Sequence, residues 1–181
     1  MTAAGPIETA RLLIRQFTLD DAEAYWPLVS SPEILRYLGE PALTSIREVR
    51  ELIEARPLQD YRLQGYGRMA CIDKSSGRML GFSGLKYLAA LNETDIGYRF
   101  IPEAWGKGYA TESATAIITR QATEFDLHRI IGLVEPENEG SVNVLKKLGL
   151  GFERRLVDPA HAGLDLYAVN FSGDPLPARP V

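Results

Sequence analysis

Apolar and polar residues alternate along this chain with two different periods, and the changes of period mark out its elements. Arg11 to Phe17 (RLLIRQF) is apolar at a period near two, which predicts a strand. Thr18, with Asp21 three residues on, reads as a helix start, and Ala22, Trp26 and Val29 share one face. Ser31-Pro32 opens a second short helix through Tyr37, ended by Gly39. Ser45 and Glu48 repeat the capping pattern for a helix to about Arg56, which Pro57 stops. The period then shortens. Gly67 to Asp73 and Met79 to Tyr87 predict two strands joined by the hairpin Lys74-Ser75-Ser76-Gly77. A third strand, Glu93 to Ile101, ends at Pro102, with Ile96, Tyr98 and Phe100 on one face and Asp95 and Arg99 on the other.

Beyond Pro102 helix and strand take turns. Ala110, Ala114, Ile117, Ile118, Ala122 and Phe125 fall at helical spacing, so a helix runs from about Gly108 to Phe125. Arg129 to Val134 (RIIGLV) is almost wholly apolar, as expected of a strand covered on both faces. Val142, Leu145 and Leu148 mark another helix, ended at Gly149 by a left-handed cap. Phe152 to Val157 and Leu164 to Phe171 predict two closing strands. The result is a mixed α/β layout, and the helix ahead of Arg129 to Val134 implies a parallel crossover. No internal repeat is visible. Residues 1–171 read as a single domain, and the proline-dense tail from Ser172 is expected to be extended or disordered.

Composition removes several classes of function. The chain has 181 residues, long enough to bury a core without disulfides or metals. A formal net charge of -4 leaves no basic footprint for nucleic acid. Cys71 is the only cysteine, so no internal disulfide forms, and its mid-strand position suits a small core residue. His128 and His161 lack any ligand-like spacing, and no metal site is expected. Met1 to Arg15 has no signal-peptide pattern, and no apolar run approaches the ~18 residues of a membrane span. The expected location is the cytoplasm, with no membrane partner.

The candidate chemistry lies where the third strand meets the long helix. In Ala104-Trp105-Gly106-Lys107-Gly108-Tyr109-Ala110-Thr111 two glycines allow a tight turn and close approach to a ligand. The unpaired amides and positive dipole end of the helix suit a phosphate, and Lys107 adds a charge. The Walker pattern needs Gly-Lys-Ser/Thr, which is missing, and the dinucleotide fingerprint needs glycine where Thr111 stands. Gly81-Phe82-Ser83-Gly84 is one residue short of a nucleophile elbow, which disfavours a hydrolase.

Trp105 to Ala110 resembles the pyrophosphate loop of the GNAT N-acetyltransferase superfamily, usually written Gln/Arg-x-x-Gly-x-Gly/Ala, with Trp105 departing at the first position. Ile96-Gly97-Tyr98 together with Trp105 through Glu112 is similar to the branch that resembles ribosomal-protein N-terminal acetyltransferases. Asn138-Glu139-Gly140-Ser141, Val144 to Gly149 and Phe152 resemble the Asn-x-x-Ser…Leu-x-Lys-Leu-Gly-Phe signature, with Leu150-Gly151 intervening before Phe152. Glu8 to Arg15 and Asp20-Asp21-Ala22 resemble the usual opening of that branch. The matches follow one another in order over most of the chain.

The resemblance implies a mostly antiparallel sheet splayed at one parallel strand pair, Glu93 to Ile101 and Arg129 to Val134, with helices on both faces. Acetyl-CoA would sit in the splay, its pantetheine paired like an added strand. Its contacts would come from Phe100, Ile101, Trp105, Gly106, Lys107, Gly108, Tyr109, Ala110, Thr111 and Asn138; Asn138 is equally a good N-cap. The implied function is direct acetyl transfer from acetyl-CoA to a primary amine, a protein N-terminus or a small molecule. The rival is a non-catalytic acyl-CoA-binding module.

An amine must lose a proton before it attacks, and the departing thiolate gains from one. Asp95 is the candidate base, acting through water, with Glu93 and Glu135 as alternatives. Otherwise Asp95 is a solvated strand residue paired with Arg99. Ser141 is the candidate donor to the sulfur, or else a first-turn residue bonding an orphan amide. Tyr98 lines the acceptor pocket or packs in the core. Net acidity favours a cationic acceptor through steering.

Overall fold

The computed structural model describes residues 5–157 and 161–171; the tail from Ser172 lies outside them. Eight strands form one sheet: β1 (Ile7–Glu8), β2 (Leu12–Gln16), β3 (Arg68–Asp73), β4 (Met79–Leu88), β5 (Glu93–Phe100), β6 (Arg129–Val134), β7 (Gly151–Arg155) and β8 (Asp165–Asn170). Their order is β1-β2-β3-β4-β5-β6-β8-β7. Every neighbouring pair is antiparallel except β5 and β6, which are parallel and meet in register at one pair, Asp95 with Ile131. The mixed sheet and its parallel crossover follow the sequence pattern. β1 was not anticipated, because two residues are too short to display a period.

Helices cover both faces. α5 (Tyr109–Glu124) makes the crossover and buries Ala114, Ile117 and Ile118. Its Gln121 meets the Met69 sulfur on β3, so the face holding Met69 belongs to α5. Alternate residues point the other way, towards α1 (Ala22–Ser30), α2 (Pro32–Leu35), α3 (Ile46–Ile53) and α4 (Gln59–Gln64). Phe82 there packs edge-on against Tyr25 of α1, and the Arg99 guanidinium donates to the Leu28 carbonyl. α6 (Glu139–Lys147) follows β6, and Gly149 ends its last turn in the left-handed region at φ +88°. Within α1 the buried residues are Ala22, Tyr25, Leu28 and Val29, while Trp26 is only partly covered.

Pro57 does not stop the third helix. Residues Glu54–Leu58 widen into a π turn, α4 continues to Gln64, and Gly65 ends it at φ +80°. Hydrogen bonds reaching five residues back already break the α-helical register there, so a missing amide and a proline ring are absorbed. The consequence is a longer wall over β3 to β5, with Arg56 and Asp60 on it. No helix among the described residues is long and apolar enough to cross a membrane.

Candidate active site

The opening in the sheet is built by β5 itself. The Ile101 amide donates to the Leu80 carbonyl at 2.9 Å, so odd-numbered residues of β5 spend their backbone groups on β4. By antiparallel alternation Tyr98 and Phe100 turn theirs towards β6. The β5–β6 ladder extends no further than Asp95 with Ile131, which leaves that edge open to an extended ligand.

Asp95 stands at the point where the strands part. It is buried, and its Oδ1 accepts the Leu133 amide of β6 at 3.1 Å, taking the place of a backbone carbonyl. Oδ2 is paired with the Arg68 guanidinium at 2.5 Å. Arg68 reaches from β3 across β4 and β5, donating also to the carbonyls of Gly84 and Asp95. It lies directly over Gly97, where any Cβ would collide with the guanidinium. Burial pushes the Asp95 pKa up, against the opposing charge and hydrogen bonds of Arg68. The solvated Asp95–Arg99 pair expected from strand alternation does not form. Arg99 instead bonds Glu40 at 2.9 Å, because α1 and the loop before α3 cover that face.

The glycine loop lies at the far end of β5. Gly106 and Gly108 adopt φ +71° and +83°, which L side chains rarely take, and a Cβ at Gly106 would meet nothing within 4 Å. The first helical bond runs from the Glu112 amide to the Gly108 carbonyl. The amides of Gly106 through Thr111 therefore have no acceptor among the described residues, and no side chain caps α5. That cradle fits a diphosphate. Trp105 folds its indole back to donate to the Phe100 carbonyl at 2.7 Å, closing the turn.

Arg11, just before β2, braces the loop from outside. It donates to the Lys107 carbonyl at 2.9 Å, stacks over the Tyr109 ring and pairs with Glu112. Burial would raise the Glu112 pKa, but Thr9 and Arg11 hold it below the usual carboxylate range. Sequence reasoning assigned neither Arg11 nor Glu112 a role. Both lie inside segments that resemble the family, and that is the only signal that could have flagged them.

A cavity of about 540 Å³ runs from the splay to the α1–α4 side, lined by Asp95, Tyr98, Glu135, Asn138 and Ser141 among others. Asn138 is the N-cap of α6, its Oδ1 accepting the Ser141 amide at 3.1 Å. The Ser141 hydroxyl thus has no capping duty. Tyr98 both packs against the core and lines the cavity, and its phenol donates to the Ser141 carbonyl at 2.9 Å. Burial raises the Tyr98 pKa far above its ordinary value, a hydrogen bond to Ser141 opposing it only in part, so the phenol stays protonated. Of the alternative carboxylates, Glu93 is tied to Arg129 at 2.8 Å and does not line the cavity. Glu135 does, and it makes no side-chain hydrogen bond or ion pair among the described residues. Cys71 is fully buried, and burial pushes its thiol far up, so it stays a core thiol.

A helix start with unpaired amides, an open strand edge and a cavity lined by Ser141 together suit an acyl-coenzyme A. The family model for the acetyltransferase (GNAT) domain matches residues 11–151, and the chain belongs to that family. The uncharacterized N-acetyltransferase p20 of Bacillus licheniformis is 32% identical over 152 residues, covering 83% of this chain and 84% of that protein. A GNAT-family acetyltransferase from Bacillus anthracis superposes with a TM-score of 0.73 at 26% identity, over 91% of this chain and 98% of that one. The ribosomal L7/L12 α-N-protein acetyltransferase RimL, in complex with coenzyme A, superposes with a TM-score of 0.78 at 21% identity, over 93% and 99%. Acetyl-CoA is the cosubstrate of this family.

Proposed function

We propose that the protein transfers an acetyl group directly from acetyl-CoA to a primary amine. The carrying observation is that β5 leads to the free amides at the start of α5, leaves its β6-facing edge unpaired beyond Asp95, and lines with Tyr98 the cavity that also holds Ser141. In this reading the loop from Trp105 to Thr111 holds the diphosphate. Tyr98 and Phe100 offer backbone groups to the pantetheine arm, with Ile101 and Asn138 at its flanks. The acetyl thioester is the chemistry the cosubstrate brings. The amine nitrogen bonds to the acetyl carbonyl carbon as the carbon–sulfur bond breaks, and the sulfur takes a proton from the Ser141 hydroxyl, which recovers one from solvent.

The amine loses its proton to water held by Glu135, a cavity carboxylate that makes no hydrogen bond or ion pair among the described residues. Asp95 acts differently from a base here. Both its oxygens are engaged, and it sets the width of the splay through Arg68 and Leu133. The test is release of free thiol from acetyl-CoA in the presence of a pooled panel of amines. Amine-dependent release with formation of the amide supports the reading. Tight acetyl-CoA binding without amine-dependent release would replace it with the non-catalytic binding module.

A further inference from the structure

The charges around the cavity say what kind of amine fits it. Net acidity of the whole chain favours a cation, but the wall of the cavity has a different balance. Arg68 and Asp95 cancel each other at the splay. Further out, Glu40 accepts from Arg99 at 2.9 Å and from Arg56 at 3.0 Å, one carboxylate between two guanidiniums. Burial would raise the Glu40 pKa, yet the two arginines hold it below the ordinary range, so Glu40 stays ionised and the trio keeps one surplus positive charge. Arg99 cannot swing away to solvent, since its side chain is only 12% exposed and donates to the Leu28 carbonyl.

Three charged side chains on the same wall make no hydrogen bond or ion pair among the described residues. Lys86, opposite Asp95 on β4, makes no hydrogen bond or ion pair among the described residues. Asp60, on α4 just past the π turn, and Glu135 likewise make none with their carboxylates. Burial raises the Asp60 pKa, against the opposing charges of Lys86, Arg68 and Arg56. Once the internal pairs cancel, the wall presents positive charge at Lys86 and the Arg56–Arg99 trio, and negative charge at Asp60 and Glu135. A polyamine would bring only positive charge to this wall and would leave those cations facing like charge as water is expelled.

Resting on the acetyl-transfer reading above, we infer that the acceptor is a small zwitterionic amine, with Asp60 and Glu135 receiving its amino end and Lys86 its carboxylate or phosphate. The anion would complete the ion pairing that Lys86 lacks, and the ammonium would do so for the carboxylates. Selection between amines then rests on the anion, because every primary amine offers the same nitrogen.

The experiment measures acetylation by the whole protein of the twenty free L-amino acids, the matching C-terminal amides, phosphoethanolamine and spermidine. Among substrates turned over, the acids or phosphoethanolamine should exceed the matching amides or spermidine by roughly tenfold or more in kcat/KM, the order expected when a close charge pair is lost. Lys86→Met should compress the acid-to-amide ratio towards one, mainly by raising the KM of the acids. A merely structural lysine would lower both members of the pair together. Amides or spermidine preferred over every zwitterion, or an acid-to-amide ratio untouched by Lys86→Met, overturns the anion requirement and leaves acetyl transfer standing. No acetylation of any amine while acetyl-CoA binds overturns both.

Discussion

The two sides of the cavity are written in different ways. In the proposed reading the coenzyme side, from Asp95 on β5 through the glycine loop to Glu112 on α5, is one stretch of chain that works mainly through backbone groups. The proposed acceptor side takes Glu40 from a loop, Arg56 from the π turn, Asp60 from α4, Arg68 from β3, Lys86 from β4 and Glu135 from beyond β6. Backbone recognition demands particular conformations, and those leave marks such as paired glycines at a strand-to-helix junction. Side-chain recognition depends on which distant residues the fold brings together, and it leaves no local mark.

The largest effect should come from breaking the backbone side alone. Gly108→Asp places a side chain and a negative charge where the phosphates approach, at a φ of +83° that already disfavours it. Acetyl-CoA binding should weaken by about 10²-fold or more in a calorimetric titration, the size of a lost anion site worth about 3 kcal/mol. Unchanged affinity would move the phosphate site elsewhere.

Asp95→Asn sharpens the comparison at the seam between the two sides. Removing one partner of a buried ion pair costs roughly 3 kcal/mol, so the melting temperature should drop clearly. The pH profile of the rate should keep its shape, because the proton does not pass through Asp95. A general base would behave in the opposite way, losing about 10²-fold or more in rate with normal stability.

Ser141→Ala and Asn138→Ala divide rate from stability within one turn of α6. Asn138 holds the cap, so its loss should cost about 1 kcal/mol of stability. Ser141 has no capping duty, so its loss should leave the melting temperature nearly unchanged and lower kcat by about 10²-fold. Near-normal turnover in Ser141→Ala would hand the proton to water.

Much of the framework was legible before any coordinates. The strand at Arg129 to Val134 and the helix up to Gly149 announced themselves through unbroken apolar runs and a left-handed stop. The run to Arg56 was misjudged because proline normally ends a helix, and nothing local signals a π turn that tolerates it. Asp95 was visible as a carboxylate beside Gly97 and Tyr98, but its partner is 27 residues away on β3, and strand alternation pointed to Arg99 instead. The glycine at 97 is explained only by Arg68 lying over it. Lys86 and Asp60 had no motif at all, since their meaning depends on which charges nearby are already paired.

The central claim is that the free amides at the start of α5 hold the diphosphate of acetyl-CoA, and thermal melts test it most directly. Acetyl-CoA at about a hundred times its dissociation constant should stabilise the fold by roughly 2.7 kcal/mol, which for a chain of this size raises the melting temperature by roughly 5 °C or more. NAD and ATP at the same concentration should shift it much less, because the loop lacks the spacing that either nucleotide motif requires. Equal or larger shifts with NAD or ATP would contradict the assignment of the loop.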